Sequence, residues 1–141
     1  MKWILCYLQG TIDAGLVYDR GSGISSSVVG YVDSNYVGDL DKRRSLTGFV
    51  FTLLGCAISW KATLQSTVAL STMEAEYMAV AEVVKEAIWL RGLVSDLGLQ
   101  QGETVVFCDS QSAIHLTKNQ MYHERTKHID VRFHFLRKVV T

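Results

Sequence analysis

Apolar and polar positions change rhythm several times along this chain, and each rhythm predicts a different element. Met1 to Leu8 reads as the tail of a helix, which Gly10-Thr11-Ile12-Asp13-Ala14-Gly15 breaks before the short run Leu16-Val17-Tyr18. Stretches rich in Val, Phe, Ile and Trp then predict three strands, at roughly Val28 to Asp33, Gly48 to Leu54 and Ala57 to Lys61. Turns containing glycine join them, the tightest at Leu54-Gly55-Cys56, which suits an antiparallel meander. The spacing predicts a long helix from Thr72 to Leu97 ended by Gly98, then a fully apolar strand from Thr104 to Cys108. A helix from Ser110 to about Asn119 and a last helix from about Asp130 to Val140 complete the pattern. Strands first, followed by helix and strand in alternation, imply an α/β fold with a mixed sheet.

Gly21-Ser22-Gly23-Ile24-Ser25-Ser26-Ser27 is a flexible, low-complexity stretch. It divides a leading piece, 1–27, from a domain expected at 28–141. With 141 residues and 48% hydrophobic composition, the chain can bury a core. Fourteen basic and fourteen acidic residues cancel, so nucleic-acid binding must be argued from local clusters rather than bulk charge. Cys6, Cys56 and Cys108 are scattered singly without metal-ligand spacing, which points to free thiols in a reducing compartment. The apolar start is too short for a signal peptide with its cleavage site, and no apolar run approaches the ~20 residues of a membrane helix. An intracellular location, cytoplasmic or nuclear, with no membrane partner is the expectation.

Three carboxylates fall where predicted elements begin or end: Asp33 closes the first strand, Glu76 lies in the first turns of the long helix, and Asp109 closes the apolar strand. This is the outline of a two-metal nuclease site, because a small hard cation such as Mg2+ prefers carboxylate oxygen and water. Helical spacing separates Glu76 from its neighbour Glu74. Ser71 followed by Glu74 is a capping-box pattern, which gives Glu74 a structural task. Glu76 instead shares its face with Val80, Val83 and Ala87, so it points towards the sheet and needs either a cation or a basic partner. The aspartates have a simpler alternative, as Asx turns or, for Asp109, as the cap of the next helix. Asp39 and Asp41 sit in the polar turn 38–44 and are expected to be solvated.

Several segments, in order, carry a resemblance. They are Tyr31-Val32-Asp33-Ser34-Asn35-Tyr36-Val37-Gly38-Asp39, Arg43-Arg44-Ser45-Leu46-Thr47-Gly48, Ala57-Ile58-Ser59-Trp60-Lys61, Ala69-Leu70-Ser71-Thr72-Met73-Glu74-Ala75-Glu76-Tyr77, Cys108-Asp109-Ser110-Gln111-Ser112-Ala113 and Arg125-Thr126-Lys127-His128-Ile129-Asp130. Together they resemble the ribonuclease H region of a copia-type LTR retrotransposon Pol polyprotein, and the leading residues resemble the segment that connects it to reverse transcriptase. The resemblance implies a ribonuclease H-like mixed sheet, three antiparallel strands and then parallel ones, with helices on its faces. It implies two Mg2+ ions, or Mn2+ in their place, held by Asp33, Glu76 and Asp109 as catalytic residues and metal ligands. The implied activity is endonucleolytic hydrolysis of the RNA of an RNA-DNA hybrid during reverse transcription, with no small-molecule cofactor.

Ser34, Ser110, Gln111, Arg125 and Lys127 are the expected substrate contacts, with capping as the structural alternative for Ser110 and Gln111. The reverse transcriptase domain of the same polyprotein is the expected partner, in virus-like particles of the parent element, and Trp89, off the apolar face of the long helix, is a candidate contact for it. Domains of this family end with a fifth strand and a helix bearing a further aspartate, beyond Thr141 in this numbering. Asp130 is the late carboxylate available here. The corresponding alternative is an inactive, decayed ribonuclease H-fold fragment that serves at most as a nucleic-acid-binding or structural module.

Overall fold

The computed structural model describes residues 2–15, 17, 27–98, 102–118, 136 and 139. The β-branched and aromatic stretches form one four-stranded sheet from β1 (Val28–Asp39), β2 (Arg44–Leu53), β3 (Cys56–Leu64) and β4 (Val105–Cys108), in the spatial order β3-β2-β1-β4. β1, β2 and β3 form the antiparallel meander, and β4 returns parallel to β1. The parallel return requires a crossover, which the helix α2 (Thr72–Asp96) supplies. Two further helices, α1 (Lys2–Gly10) and α3 (Gln111–Lys118), complete the described elements. This is the mixed α/β architecture expected of the sequence.

Alternation along each strand decides which face meets α2. Val28, Gly30 and Val32 of β1 and Ser45, Thr47, Phe49 and Phe51 of β2 turn inward, and they meet Tyr77, Ala79, Val80 and Val83 of α2 in the core. The fully buried Tyr77 and Phe51 are its largest members. On the other face, Trp60, Val50, Tyr31 and Phe107 stand in one cross-strand row, in which Tyr31 and Phe107 stack with ring centroids 5.4 Å apart. α1 buries no residue.

Gly30 shows how tightly the sheet face is filled. A Cβ there would lie 2.6 Å from the ring of Phe51, which is itself fully buried and edge-on to Phe49. Gly30→Ala is therefore expected to destabilise the chain by about 1–3 kcal/mol through overpacking. Urea denaturation checks this as a lower midpoint at unchanged slope.

The start of α2, which positions the site, is held from several sides. Ser71 Oγ accepts from the Glu74 backbone N–H at 3.2 Å, as the capping box predicts. The Glu74 carboxylate reaches one residue further than expected and accepts from the Leu70 N–H at 2.7 Å. The Gln65 amide donates to Thr47 Oγ1 at 3.0 Å and to the Ala75 carbonyl at 2.8 Å, tying the first turn of α2 to β2.

Strand limits differ from the sequence expectation. β1 does not end at Asp33 but runs to Asp39, because Ser34 and Asn35 continue the ladder opposite Thr47 and Leu46. Polar residues there look like a loop, yet the hairpin with β2 pairs their backbone groups. An irregularity between Asn35 and Asp39 follows, with Val37 at φ 53° and its N–H bonded to Ser45 Oγ at 3.1 Å. Asp39 then closes an Asx turn, its Oδ1 accepting from the N–H groups of Asp41 and Lys42. Of the predicted last helix, Leu136 and Val139 are described, both helical, and Leu136 is fully buried in the core. No helix among the described residues is long and apolar enough to cross a membrane.

Candidate metal centre

Pairing between β1 and β4 builds the site. Val32 lies opposite Cys108 in the parallel ladder, so Asp33 and Asp109, each one residue further on, flank each other at the same end of two neighbouring strands. Glu76 descends onto that end from the second turn of α2. Glu76, Cys108 and Asp109 each place one ligand atom within 4.8 Å of the others. Asp33 is exposed and does not join a group of three at that separation. Its charge nonetheless acts on both Glu76 and Cys108.

The electrostatics follow from this packing. Partial burial raises the Glu76 carboxyl above the ordinary carboxylate range; the neighbouring Ser34 opposes the shift, and the charges of Asp109 and Asp33 add to it. Ser34 Oγ lies beside the carboxylate without closing a hydrogen bond of ordinary geometry, and both it and Glu76 Oε2 are buried without a hydrogen-bond partner. Burial likewise raises the Cys108 thiol, against a lowering by the Ser110 backbone, with Glu76, Asp109 and Asp33 adding to the rise. Two carboxyls and a thiol at one point, with Asp33 nearby and an orphaned acceptor among them, are unfavourable as they stand. A cation would satisfy them, and carboxylate oxygen is the donor chemistry a hard divalent ion takes. On that observation the residues present fit a metal.

The expected site residues that lie among the described ones can be placed. Glu76 is half-buried with its Oε2 turned inward, on the helical face it shares with Val80 and Val83 and clear of the cap that occupies the more deeply buried Glu74. Asp109 does not cap α3. Ser110 does, its Oγ accepting from the Ala113 N–H at 3.2 Å, which leaves the Asp109 carboxylate free to join the cluster. Gln111 is exposed at the first position of α3, close to the carboxylates in sequence. Arg125, Lys127 and Asp130 lie outside the described residues. Sequence reasoning missed Cys108, read there as a free thiol without metal-ligand spacing. The signal was its position directly before Asp109, but only the β1–β4 register shows that it reaches the site.

No protein-family model matches the chain. Over 140 residues, 99% of the chain, it is 54% identical to the retrovirus-related Pol polyprotein from transposon TNT 1-94 of Nicotiana tabacum. It is 36% identical over 141 residues to the corresponding polyprotein from transposon RE2 of Arabidopsis thaliana. The chain spans about 10% of the length of each of these curated relatives. A 90-residue stretch, 64% of the chain, is 44% identical to the secreted RxLR effector protein 161 of Plasmopara viticola, of which it covers 62%. Among solved structures, the chain is similar to LC11 ribonuclease H1, isolated from compost. The TM-score is 0.58 at 16% identity, over 81% of this chain and 75% of that one.

Proposed function

The chain is kin along its whole length to the Pol polyproteins of copia-type retrotransposons and has a ribonuclease H-like fold, and on that ground we propose that it hydrolyses the RNA strand of an RNA-DNA hybrid. The observation that carries the reading is the convergence of Glu76 and Asp109 at the end of the β1–β4 pair, beside Asp33, with the buried Glu76 Oε2 left unpaired. In this reading residues 1–27 are the connection to a reverse transcriptase and 28–141 the nuclease domain. Trp89, 59% exposed on α2, is available to that partner.

Asp33, Glu76 and Asp109 would hold Mg2+ or Mn2+, which supplies Lewis acidity towards the scissile phosphate and its leaving 3′ oxygen. The remaining work falls to the chain itself. The sheet fixes Asp33 and Asp109 side by side, and α2 fixes Glu76 across from them, so the carboxylates are ordered before substrate arrives. Glu76 is held inside a packed helix face, which limits the water that reaches its inner oxygen. Ser34 lies beside Glu76 and Gln111 follows Asp109 by two residues, where polar groups can read a 2′-hydroxyl, and the Ser110 hydroxyl, which accepts the cap bond of α3, keeps its proton to donate. Arg125 and Lys127 are assigned to the phosphate backbone on their charge.

A second reading, a ribonuclease H-fold module that does not turn over, is favoured by one observation: Asp33 does not close into the three-residue cluster. One assay separates the two. Labelled RNA-DNA hybrid is incubated with the full chain in Mg2+ and in EDTA. RNA-strand cleavage that EDTA abolishes is expected, whereas hybrid binding without cleavage would select the module.

A further inference from the structure

The donor set at this centre is not one built for magnesium alone. Mg2+ takes oxygen and disfavours sulfur, yet Cys108 Sγ lies within 4.8 Å of carboxylate oxygens of both Glu76 and Asp109. We propose that Cys108, Glu76 and Asp109 form a binding site for a thiophilic divalent cation of the zinc and cadmium class, which competes with Mg2+ for the same two carboxylates. The competition rests on the metal site of the proposed nuclease; the thiophilic site itself rests on the cluster.

The geometry is close to what such an ion requires. With zinc-sulfur contacts of about 2.3 Å and zinc-oxygen contacts of about 2.0–2.2 Å in a tetrahedron, adjacent donors stand about 3.3–3.6 Å apart. Side-chain rotations that bring the three donor atoms together by little more than about 1 Å would therefore close the site. Each donor is anchored by a different element. Cys108 is held in register with Val32 on β4, Glu76 lies between the fully buried Ala75 and Tyr77 on α2, and Asp109 follows at the bend after β4. Glu76 contributes a buried oxygen with no hydrogen bond to give up. Asp109 is exposed, which leaves a fourth position open to water. The other thiols do not take part: Cys6 is exposed on α1, and Cys56 begins β3, the edge strand furthest from β4.

Cadmium is the direct probe, because a thiolate-to-cadmium bond gives a near-ultraviolet charge-transfer band. The full chain carrying Cys6→Ser and Cys56→Ser is titrated with Cd2+, with folding followed by circular dichroism. A saturable band at one ion per chain is expected. It should be lost in Cys108→Ser and Cys108→Ala, and excess Mg2+ should move it to higher Cd2+ concentration. Asp109→Asn keeps the thiol, so it should raise the titration midpoint by about tenfold or more even if neither Cys108 variant folds. No band in the folded chain, a band that survives in Cys108→Ser, or a midpoint indifferent to Mg2+ or to Asp109→Asn would overturn the proposal. Hybrid cleavage is scored separately. A band without cleavage sinks the nuclease reading and leaves the thiophilic site standing; cleavage without a band does the reverse.

Discussion

Asp109→Asn is expected to slow hybrid cleavage in Mg2+ by about three orders of magnitude while leaving the fold intact. The substitution keeps the shape of the side chain and removes its charge at the point where Glu76 and Cys108 converge. A metal's stabilisation of transition-state charge is worth several kcal/mol, and about 4 kcal/mol corresponds to a factor of about a thousand in rate. Folding should be spared because Asp109 is exposed and Ser110, not Asp109, caps α3. Substitutions of that kind move stability by about 0.5 kcal/mol or less. Asp33→Asn should behave alike, since Asp33 follows Val32 as Asp109 follows Cys108 across the β1–β4 ladder and its charge acts on Glu76. Asp39→Asn is the control: its Oδ1 accepts two turn N–H groups, and an amide oxygen can do the same. Single-turnover cleavage of a labelled hybrid, with binding measured separately, is the assay. A rate for Asp109→Asn within tenfold of the unaltered chain would remove Asp109 from the catalytic set.

What the sequence disclosed about this site, and what it withheld, divides along the reach of the interactions. The inward aim of Glu76 was legible because helical period alone places it with Val80 and Val83, and the Ser71–Glu74 cap removed the competing glutamate. Both are local facts. The true length of β1 was not legible, since Ser34 and Asn35 become strand only through backbone pairing with Thr47 and Leu46 on the partner strand. Nor was the role of Ser110 separable from that of Asp109, because either residue type caps a helix and only the bond to the Ala113 N–H decides between them. Cys108 is the sharpest case. Asp109 is its neighbour in sequence, but Glu76 comes from a helix far away in the chain, so no spacing rule for cysteine and histidine could find it. Resemblance named the carboxylates without their distances, and the distances are what set Asp33 apart from the other two.

Glu76→Gln is expected to act in two opposite directions, and the pair of signs distinguishes a metal centre from an ordinary buried acid. In the metal-free chain the Glu76 carboxyl titrates above the ordinary carboxylate range, because of burial and then of the neighbouring Asp109 and Asp33 charges. Between the ordinary value and the raised one, the native state holds more proton than the unfolded state. Stability therefore falls as pH rises through that window and stays lowered above it. Glutamine carries no such charge, so in EDTA at pH 7–8 the variant should be more stable than the unaltered chain, by about 0.5–2 kcal/mol. The difference should shrink towards zero as pH drops below the ordinary carboxylate range. A divalent ion reverses the order. At about a hundredfold above its dissociation constant it adds about 2.7 kcal/mol to a chain that binds it only when folded, and the variant, having lost the buried oxygen, should gain little. Urea denaturation across pH, with EDTA and with Mg2+, reads both effects. A variant less stable than the unaltered chain in EDTA at pH 8 would mean that Glu76 is satisfied without metal. Equal stabilisation of both chains by Mg2+ would mean that the ion binds elsewhere. The expected pattern instead makes Glu76 a residue that is unfavourable for the empty fold and favourable once the cation is bound, which is what a metal ligand requires.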